Sequence, residues 1–455
     1  MEVRSRAVAA ALVASLLLAG ACGRGEDETE SSGAPETTAG PTETTAAPVE
    51  SRLDAGGFGD LENVCQDGEG GSASDVGVTA DSINVGTITD KGFAARPGLN
   101  QEMVDAAVAF AAWCNEHGGI NGRELVVHDR DAALTAYNDR ITESCAEDFA
   151  LVGGGAVFDD ADNGGRVACG LPNVAGFVVS ETARNADLQV QPVPNPWTEY
   201  AAGGYRRLAE ARPELMDHFG IMTGNVGATL ATRDQVLDAV TQLGYQTVFN
   251  QEYASGGESN WRPFVEGMRD AGVEVFEWVG EPEYLSAIQE AMALVGFYPE
   301  VIMVNTNIYD TRYLETVGNN TQNTIIRTAY TPFELADENP ATADFLELME
   351  RYNPDGKLAQ LGAQAVSAFL LFAQAARDCG ADLTRACMLE NAESVTSWTG
   401  GGMHAEMNPS AGGATQCFAF VTVTPGIFTL DEELTQPNEG IFNCDPENVL
   451  QTPAA

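Results

Sequence analysis

The residue types that most often carry out catalysis are present, but they are not arranged for it. The chain has 4 histidines, and no two of them show the His-x-x-x-His spacing of a helical zinc site. Its two lysines, Lys91 and Lys357, follow no glycine-rich phosphate loop, and no Gly-x-Ser-x-Gly sequence marks a nucleophilic serine. The glycine run at residues 153–155 lacks the later glycine of a dinucleotide motif. We therefore expect a protein that is not an enzyme and uses no metal ion or cofactor.

The 9 cysteines are the other chemically distinctive set. Cys22 follows an N-terminal apolar run, and an even number of cysteines remains beyond it, which in an exported chain indicates disulfides. Spacing alone does not choose among the many possible pairings. Short separations favour Cys379–Cys387 and Cys417–Cys444. They leave Cys145–Cys169 and Cys65–Cys114, and connectivity beyond the two C-terminal pairs stays open.

Residues 1–22 combine a net-positive start, an apolar run at residues 7–20 and small residues before Cys22. A transmembrane helix needs about 20 residues, and this run is shorter, so it indicates an export signal. Its end resembles the cleavage box of bacterial lipoproteins, which implies that residues 1–21 are removed and that Cys22 is lipidated at the outer face of the cell membrane. Secretion with a free Cys22 is the alternative. Residues 22–75 predict a disordered acidic tether rich in Thr, Pro and Glu.

The formal net charge of −44 excludes several classes of partner. Nucleic acids and anionic lipids bind to basic surfaces, and this chain has 23 Lys and Arg residues against 67 Asp and Glu. We expect no nucleic acid partner, and contact with the membrane only through a lipid anchor. Self-repulsion between such acidic surfaces favours a monomer.

Short β-like runs alternate with longer helical runs from residue 82 onward, in two successive sets. This alternation predicts an α/β fold with two doubly wound parallel-sheet lobes. Proline-rich residues 191–197, residues 329–333 and the glycines at 400–402 are candidate crossings between the lobes, which would form a three-crossing hinge. The strand-like runs are at residues 83–89, 124–128, 149–153, 174–179, 219–223, 246–250, 273–279, 300–304 and 324–328. The helical runs are at residues 101–116, 135–147, 160–168, 199–211, 228–243, 261–271, 283–295, 310–317, 340–352, 358–378 and 384–393.

Several ordered segments together resemble the type I periplasmic solute-binding proteins of branched-chain amino acid ABC transporters. They are residues 115–123 (NEHGGINGR), 151–155 (LVGGG), 268–280, 309–318 and 361–376. The resemblance implies a receptor whose two lobes close on a solute and present it to an ABC permease. It also implies interleaved lobes, with residues 76–194 and 332–400 in the first, residues 195–331 and 401–445 in the second, and a tail at residues 446–455.

The resemblance also implies a solute site in loops that follow strands of both lobes. Such sites hold an amino acid by hydroxyls and backbone N–H groups on its carboxylate and by an acidic group on its ammonium. Here the loop after the fourth strand has one hydroxyl, and Glu281 is the candidate acidic group, so the expected solute is small and polar: an amino acid, an amide or a similar molecule. The implied contact residues are Gly154, Gly155, Ala156, Phe177, Ser180, Asn225, Glu281, Asn307 and Tyr309.

Two other functions remain open at this level. The same fold could serve as a sensing module that docks to a signalling membrane protein, and the sequence does not separate sensing from import. An enzyme is the less favoured alternative, because none of the catalytic motifs named above is present.

Overall fold

The computed structural model of the chain describes residues 51–161 and 163–453. The predicted signal peptide at residues 1–21, Cys22, residues 23–50 of the predicted tether and residues 454–455 lie outside this part of the chain.

The first sheet is parallel throughout. Its strands are β1 (Ser82–Thr89), β2 (Glu124–Asp131), β3 (Ala150–Val152), β4 (Asn173–Val174) and β5 (Gln189–Val190), in the order β2-β1-β3-β4-β5. The helices between them are α1 (Gln101–Glu116), α2 (Tyr137–Glu147), α3 (Asn163–Ala168) and α4 (Glu181–Arg184). The chain proceeds outward from β1 in both directions, which creates a crevice at the carboxyl ends of these strands.

The second sheet mixes parallel and antiparallel strands. Its strands are β7 (Phe219–Gly224), β8 (Thr247–Tyr253), β9 (Val275–Val279), β10 (Val301–Val304), β11 (Thr324–Thr328), β12 (Cys417–Thr424), β13 (Ile427–Leu430) and β14 (Asn443–Cys444). The strands β6 (Glu199–Ala201) and β15 (Val449–Gln451) form a separate pair. The sheet order is β13-β12-β11-β10-β9-β7-β8, with β12 and β13 antiparallel and β14 paired to β12. The remaining helices are α5 (Gly203–Ala211), α6 (Gly227–Gln242), α7 (Arg262–Ala271), α8 (Pro282–Val295), α9 (Thr311–Val317), α10 (Pro340–Tyr352), α11 (Gln360–Asp378), α12 (Arg385–Glu393) and α13 (Glu432–Thr435).

Each sheet has its own hydrophobic core, and this defines two lobes. The first lobe buries residues from 53–190 together with residues from 330–403, including nearly the whole of α11. The second lobe buries residues from 205–326 together with β12 and β13. The chain therefore passes between the lobes near residues 191–202, 328–333 and 400–416, which confirms the predicted α/β fold of two lobes joined by three crossings.

The predicted tether is wrong for its last part, because residues 51–75 belong to the first lobe. Leu53, Phe58 and Val64 are fully buried, and the Trp113 indole donates to the Leu53 carbonyl at 3.0 Å. The segment is rich in Gly and Asp, so its few apolar residues form no periodic pattern. They are ordered by long-range packing against α1 and by the bond from Cys65 to Cys114.

Two other local predictions differ from the structure for a similar reason. The predicted helix at 199–211 begins only at Gly203, because residues 199–201 form β6 and pair with β15 of the predicted tail. The predicted strand at 174–179 is reduced to β4, and residues 176–179 line a cavity instead. In both cases a distant partner decides the conformation, not the local propensity.

The two disulfides favoured by short separation, Cys379–Cys387 and Cys417–Cys444, are confirmed. The cysteines whose connectivity was open form Cys65–Cys114 and Cys145–Cys169. Three of the four disulfides lie in the first lobe, and Cys417–Cys444 joins β12 to β14 in the second. Each disulfide stabilises one lobe and leaves the hinge free to bend. Within the described residues, no helix has both the length and the apolarity needed to cross a membrane.

His404 lies at the third crossing in a fully paired, neutral state. Its Nδ1 lies 2.8 Å from the Ala405 carbonyl oxygen, which can only accept, so Nδ1 carries the proton. Its Nε2 accepts from the Ser367 hydroxyl at 2.9 Å, and Ser367 accepts from the Trp398 indole at 2.9 Å. Burial lowers the pKa of His404 from 6.5 to about 4.

This depressed pKa predicts a loss of stability in acid. Below pH 6.5 the unfolded chain protonates His404 and the folded chain does not, so stability present above pH 6.5 is lost as the pH falls towards about 4. The expected contribution is about 3 kcal/mol of unfolding free energy between pH 7 and pH 4. Denaturant unfolding of the wild type and of His404→Gln across this range measures it. The wild type should lose more stability than the variant, and parallel curves would contradict the assignment.

Candidate functional site

A cavity of about 300 Å³ lies between the two lobes. From the first lobe it is lined by the loop after β4, by Arg184 and by the start of α11. From the second lobe it is lined by the loops after β9 and β10, by the end of β11 and by one face of α6. All three crossings also contribute residues. The cavity therefore lies at the carboxyl ends of parallel strands, where open α/β sheets bind their ligands.

Three of the predicted contact residues line this cavity: Phe177, Glu281 and Asn307. The Asn307 side-chain amide donates to the Gly280 carbonyl at 2.9 Å, which joins the loops after β9 and β10. Gly154, Gly155 and Ala156 lie beside a much smaller cavity of about 20 Å³, which Phe177 also lines.

The other three predicted residues lie away from the cavity wall, each with a local partner. The Ser180 hydroxyl caps α4 by accepting from the Ala183 N–H at 3.1 Å. The Asn225 side chain accepts from the Ser255 N–H at 2.9 Å. Tyr309 is 2% exposed, and its hydroxyl donates to Glu334 and accepts from the Phe333 N–H. In this geometry their side chains support the surrounding loops.

Glu281 is paired across the cleft with an arginine of the first lobe. Arg96, in the loop between β1 and α1, lies 2.6 Å from the Glu281 carboxylate and 2.7 Å from that of Glu283. Burial lowers the pKa of Arg96, but the two carboxylates more than compensate and hold it above its ordinary value. Glu281 therefore already has a cationic partner in this conformation, which it shares with Glu283.

Arg184 is a cavity residue that the sequence did not reveal. It is 9% exposed, and its guanidinium donates across the cleft to the Gln235 side-chain oxygen at 2.9 Å and to the Thr232 hydroxyl at 3.3 Å. The ring of Trp197 lies 5.5 Å from its guanidinium carbon. Burial lowers the pKa of Arg184 to about 10, and Asp159 partly opposes this shift, so the side chain stays cationic at neutral pH. A single Arg in a short polar helix carries no pattern that would mark it.

A second arginine on the cavity wall, Arg327 of β11, has its own counter-charge. It donates to the Glu277 carboxylate at 2.7 Å and to the Asn305 side-chain oxygen at 2.8 Å, and its guanidinium carbon lies 4.2 Å from the Tyr205 ring. Glu277 is fully buried on β9, and this burial raises its pKa to about 7 although Arg327 lowers it. Arg327 therefore has a carboxyl partner within the protein.

Much of the remaining wall is apolar. The residues that form it are Val157, Phe177, Val178, Val179, Val193, Val279, Leu361 and Phe418. Such a wall favours a solute with an apolar part over one that is polar throughout, because the apolar part leaves water on binding.

The described residues include one cluster with the composition of a metal site, formed by Cys417, Cys444 and Glu439. Its two cysteines are bonded to each other, so one carboxylate is left. A single exposed carboxylate does not form a metal site.

Comparisons with known proteins agree with this architecture. Residues 82–426 match the model of the periplasmic binding protein family. None of the curated protein sequences is a significant match to the chain.

Solved structures with this fold include the fatty acid ABC transporter substrate-binding protein from Thermomonospora curvata, with a TM-score of 0.68, 15% identity, and coverage of 80% of this chain and 95% of that one. The leucine binding protein LivK from Thermotoga maritima MSB8 has a TM-score of 0.64, 15% identity, and coverage of 77% and 97%. The branched-chain amino acid transporter substrate binding protein LivJ from Streptococcus pneumoniae, solved with isoleucine, has a TM-score of 0.62, 12% identity, and coverage of 77% and 99%. With the family model matching most of the chain, and with two α/β lobes enclosing a cavity at their strand ends, this chain belongs to the periplasmic binding protein family.

Proposed function

We propose that this chain is an extracytoplasmic receptor that captures a small solute between its lobes and delivers it to an ABC importer. The observation that carries the proposal is the cavity at the hinge, lined by loops of both lobes and by all three crossings. A solute in this position contacts both lobes, so its binding energy favours the closed state over the open one.

Contacts that join the lobes on two sides of the cavity support closure as the working motion. Arg96 meets Glu281 and Glu283, while Arg184 meets Gln235 and Thr232. Opening the hinge would separate both sets. Four disulfides within the lobes keep each lobe rigid, so the motion concentrates at the three crossings.

The solutes named for the similar structures are a fatty acid, leucine and isoleucine. The sequence predicted a small polar solute such as an amino acid or an amide. The largely apolar wall narrows this expectation to solutes with an apolar part, and it disfavours urea and other wholly polar molecules.

Membrane attachment remains part of the proposal. Lipidation of Cys22 would hold the receptor at the outer face of the membrane, and the residues up to about 50 would serve as its tether. Tethering raises the concentration of the receptor near its permease without any new contact. Binding and release, without chemical conversion of the solute, complete the proposed role.

The Arg96 pair gives a test of closure that needs no solute. We expect Arg96→Gln to shift the protein towards open forms, because the closed state loses a charge-assisted contact of about 1 kcal/mol after solvent screening. Small-angle X-ray scattering of the solute-free protein should show a larger radius of gyration for the variant. Arg269→Gln, which breaks an exposed pair with Asp270 within one lobe, is the control and should leave the scattering unchanged. Equal curves for all three proteins would contradict the role of Arg96 in closure.

A thermal-shift screen tests the receptor function itself. The panel contains amino acids, amides, urea, short peptides and monocarboxylates. A solute at 100 times its dissociation constant should add about 2.7 kcal/mol of stability, and scattering should show compaction of Arg96→Gln on binding. If no member of the panel stabilises the protein, solute capture in this cavity is contradicted.

A further inference from the structure

Most charged side chains on the cavity wall have a partner of opposite charge or backbone donors, but Arg184 has only uncharged contacts. It contacts three uncharged groups: the Gln235 amide, the Thr232 hydroxyl and the Trp197 ring. Its buried Nε has no hydrogen-bond partner within residues 51–161 and 163–453. Asp159 acts on it only from a distance, since the carboxylate oxygens of Asp159 accept from the Val179 and Ser180 N–H groups. A guanidinium that is nine-tenths buried and faces neutral groups is unfavourable without an anion.

The carboxylates on and behind the cavity wall, in contrast, all have partners within the protein. Glu281 is paired with Arg96, so the group expected to hold an ammonium already has a cationic partner, which it shares with Glu283. Glu199 accepts from the Ala414 N–H at 2.9 Å and from the Gln451 amide at 3.0 Å. Glu277, behind the wall, is paired with Arg327. The carboxylates of this region are thus engaged within the protein, while one cation is open to a ligand.

Gln364 is a neutral lining residue with an unpartnered buried atom, its Oε1; among the described residues, the Arg327 Nε and the Tyr330 hydroxyl on the same wall are two others. A side-chain amide can present either its oxygen or its N–H₂ group by a half-turn. It can therefore meet a hydroxyl or a carboxylate of a ligand, but it is neutral and cannot balance the charge of an ammonium.

We propose that Arg184 anchors the carboxylate of the solute, and that the solute is a monocarboxylic acid with an apolar body and no α-ammonium group. This inference rests on the proposed function and adds the substrate class and the residue that selects it. The carboxylate would compensate the charge of the guanidinium, and the aliphatic or aromatic body would pack on Phe177, Leu361 and Phe418. An α-amino acid of the same shape would bring an ammonium into a site whose carboxylates are taken.

Matched ligands test the substrate class on the wild-type protein. The probes are 4-methylpentanoate, octanoate and 3-phenylpropanoate, each compared with its amide. Leucine and phenylalanine provide the α-amino counterparts of the first and third. Calorimetric titration should find at least one carboxylate that binds. Its amide and its α-amino counterpart should each bind more weakly by roughly 10-fold or more.

Variants test the residue. Arg184→Gln should weaken binding of the carboxylate by roughly 10- to 100-fold and leave binding of the amide unchanged. Arg184→Lys should lose less affinity for the carboxylate, because it keeps the charge. Arg269→Gln is the control and should bind as the wild type does. The melting temperature of solute-free Arg184→Gln should stay the same or rise, because an uncompensated buried charge is removed. A merely structural arginine would lower it.

The outcomes separate the two proposals. Binding of an amino acid or an amide as tightly as the matching carboxylate overturns the inference but leaves the receptor function intact. Carboxylate binding that Arg184→Gln does not weaken overturns the anchoring role. If neither these probes nor the wider solute panel binds, both proposals fail.

Discussion

Replacing Lys357 by methionine should lower the free energy of unfolding by about 3–5 kcal/mol at pH 7. Lys357 lies between α10 and α11, and its ammonium is 2.9 Å from the Glu102 carboxylate and 2.7 Å from that of Asp310. All three side chains are at most 4% exposed. The variant would leave two carboxylates buried side by side with no cation between them, which costs both desolvation and repulsion. Denaturant unfolding measures the loss.

The pH dependence and a rescue variant give this prediction its controls. Burial raises the pKa of Glu102 and Lys357 lowers it, so removing Lys357 raises it further. A carboxyl whose pKa is raised by folding is favourable in acid and costs stability as the pH rises, so the deficit should shrink towards pH 5. Adding Glu102→Gln should recover most of the loss. The other lysine, Lys91, pairs with Asp129 at the surface, and Lys91→Met should cost less than about 1 kcal/mol. Equal costs for the two lysines would contradict the argument.

The second large effect is expected at Arg327, which compensates the fully buried Glu277. Arg327→Met should cost about 3–5 kcal/mol at pH 8, because the Glu277 carboxylate would remain in the sheet without its partner. The pKa of Glu277 is already raised to about 7 in the presence of Arg327 and would rise further. The variant should therefore regain stability as the pH falls to 5 and Glu277 takes up a proton.

A double-mutant cycle distinguishes this pair from ordinary packing. Glu277→Gln combined with Arg327→Met removes both charges, and its stability should exceed that of Arg327→Met alone. A deficit for Arg327→Met that is the same at pH 5 and pH 8, or that Glu277→Gln does not relieve, would show that lost packing on Tyr205 causes it instead.

The buried charges of this protein fall into two functional kinds. Lys357 and Arg327 have carboxylate partners within the protein. Arg184 has only neutral partners, and its anion is expected to come with the solute. This contrast explains why the first two substitutions should be destabilising, whereas Arg184→Gln should change binding with little effect on the solute-free fold.

The sequence predicted the fold class because the alternation of strand-like and helical runs is a local pattern that repeats along the chain. Alternating apolar strands and amphipathic helices specify a parallel sheet wherever they occur. The even number of cysteines beyond Cys22 indicated a disulfide framework, and short separations favoured two of the four pairs that the structure forms. Helix α11 was evident as a buried helix from its apolar composition. Predictions of this kind depend on neighbours along the chain.

The sequence could not reveal which polar groups face the cavity or how they are paired. Arg96 meets Glu281 over a separation of 185 residues, and Arg184 meets Gln235 over 51. Residues 51–65 and β15 are ordered only by distant packing and pairing partners. Periodicity thus predicted the two lobes, cysteine spacing favoured two of the disulfides, and the ordered segments carried the resemblance to the family. The charge left open on the cavity wall was decided by the tertiary structure alone, because whether a buried ion is compensated depends on groups that only folding brings together.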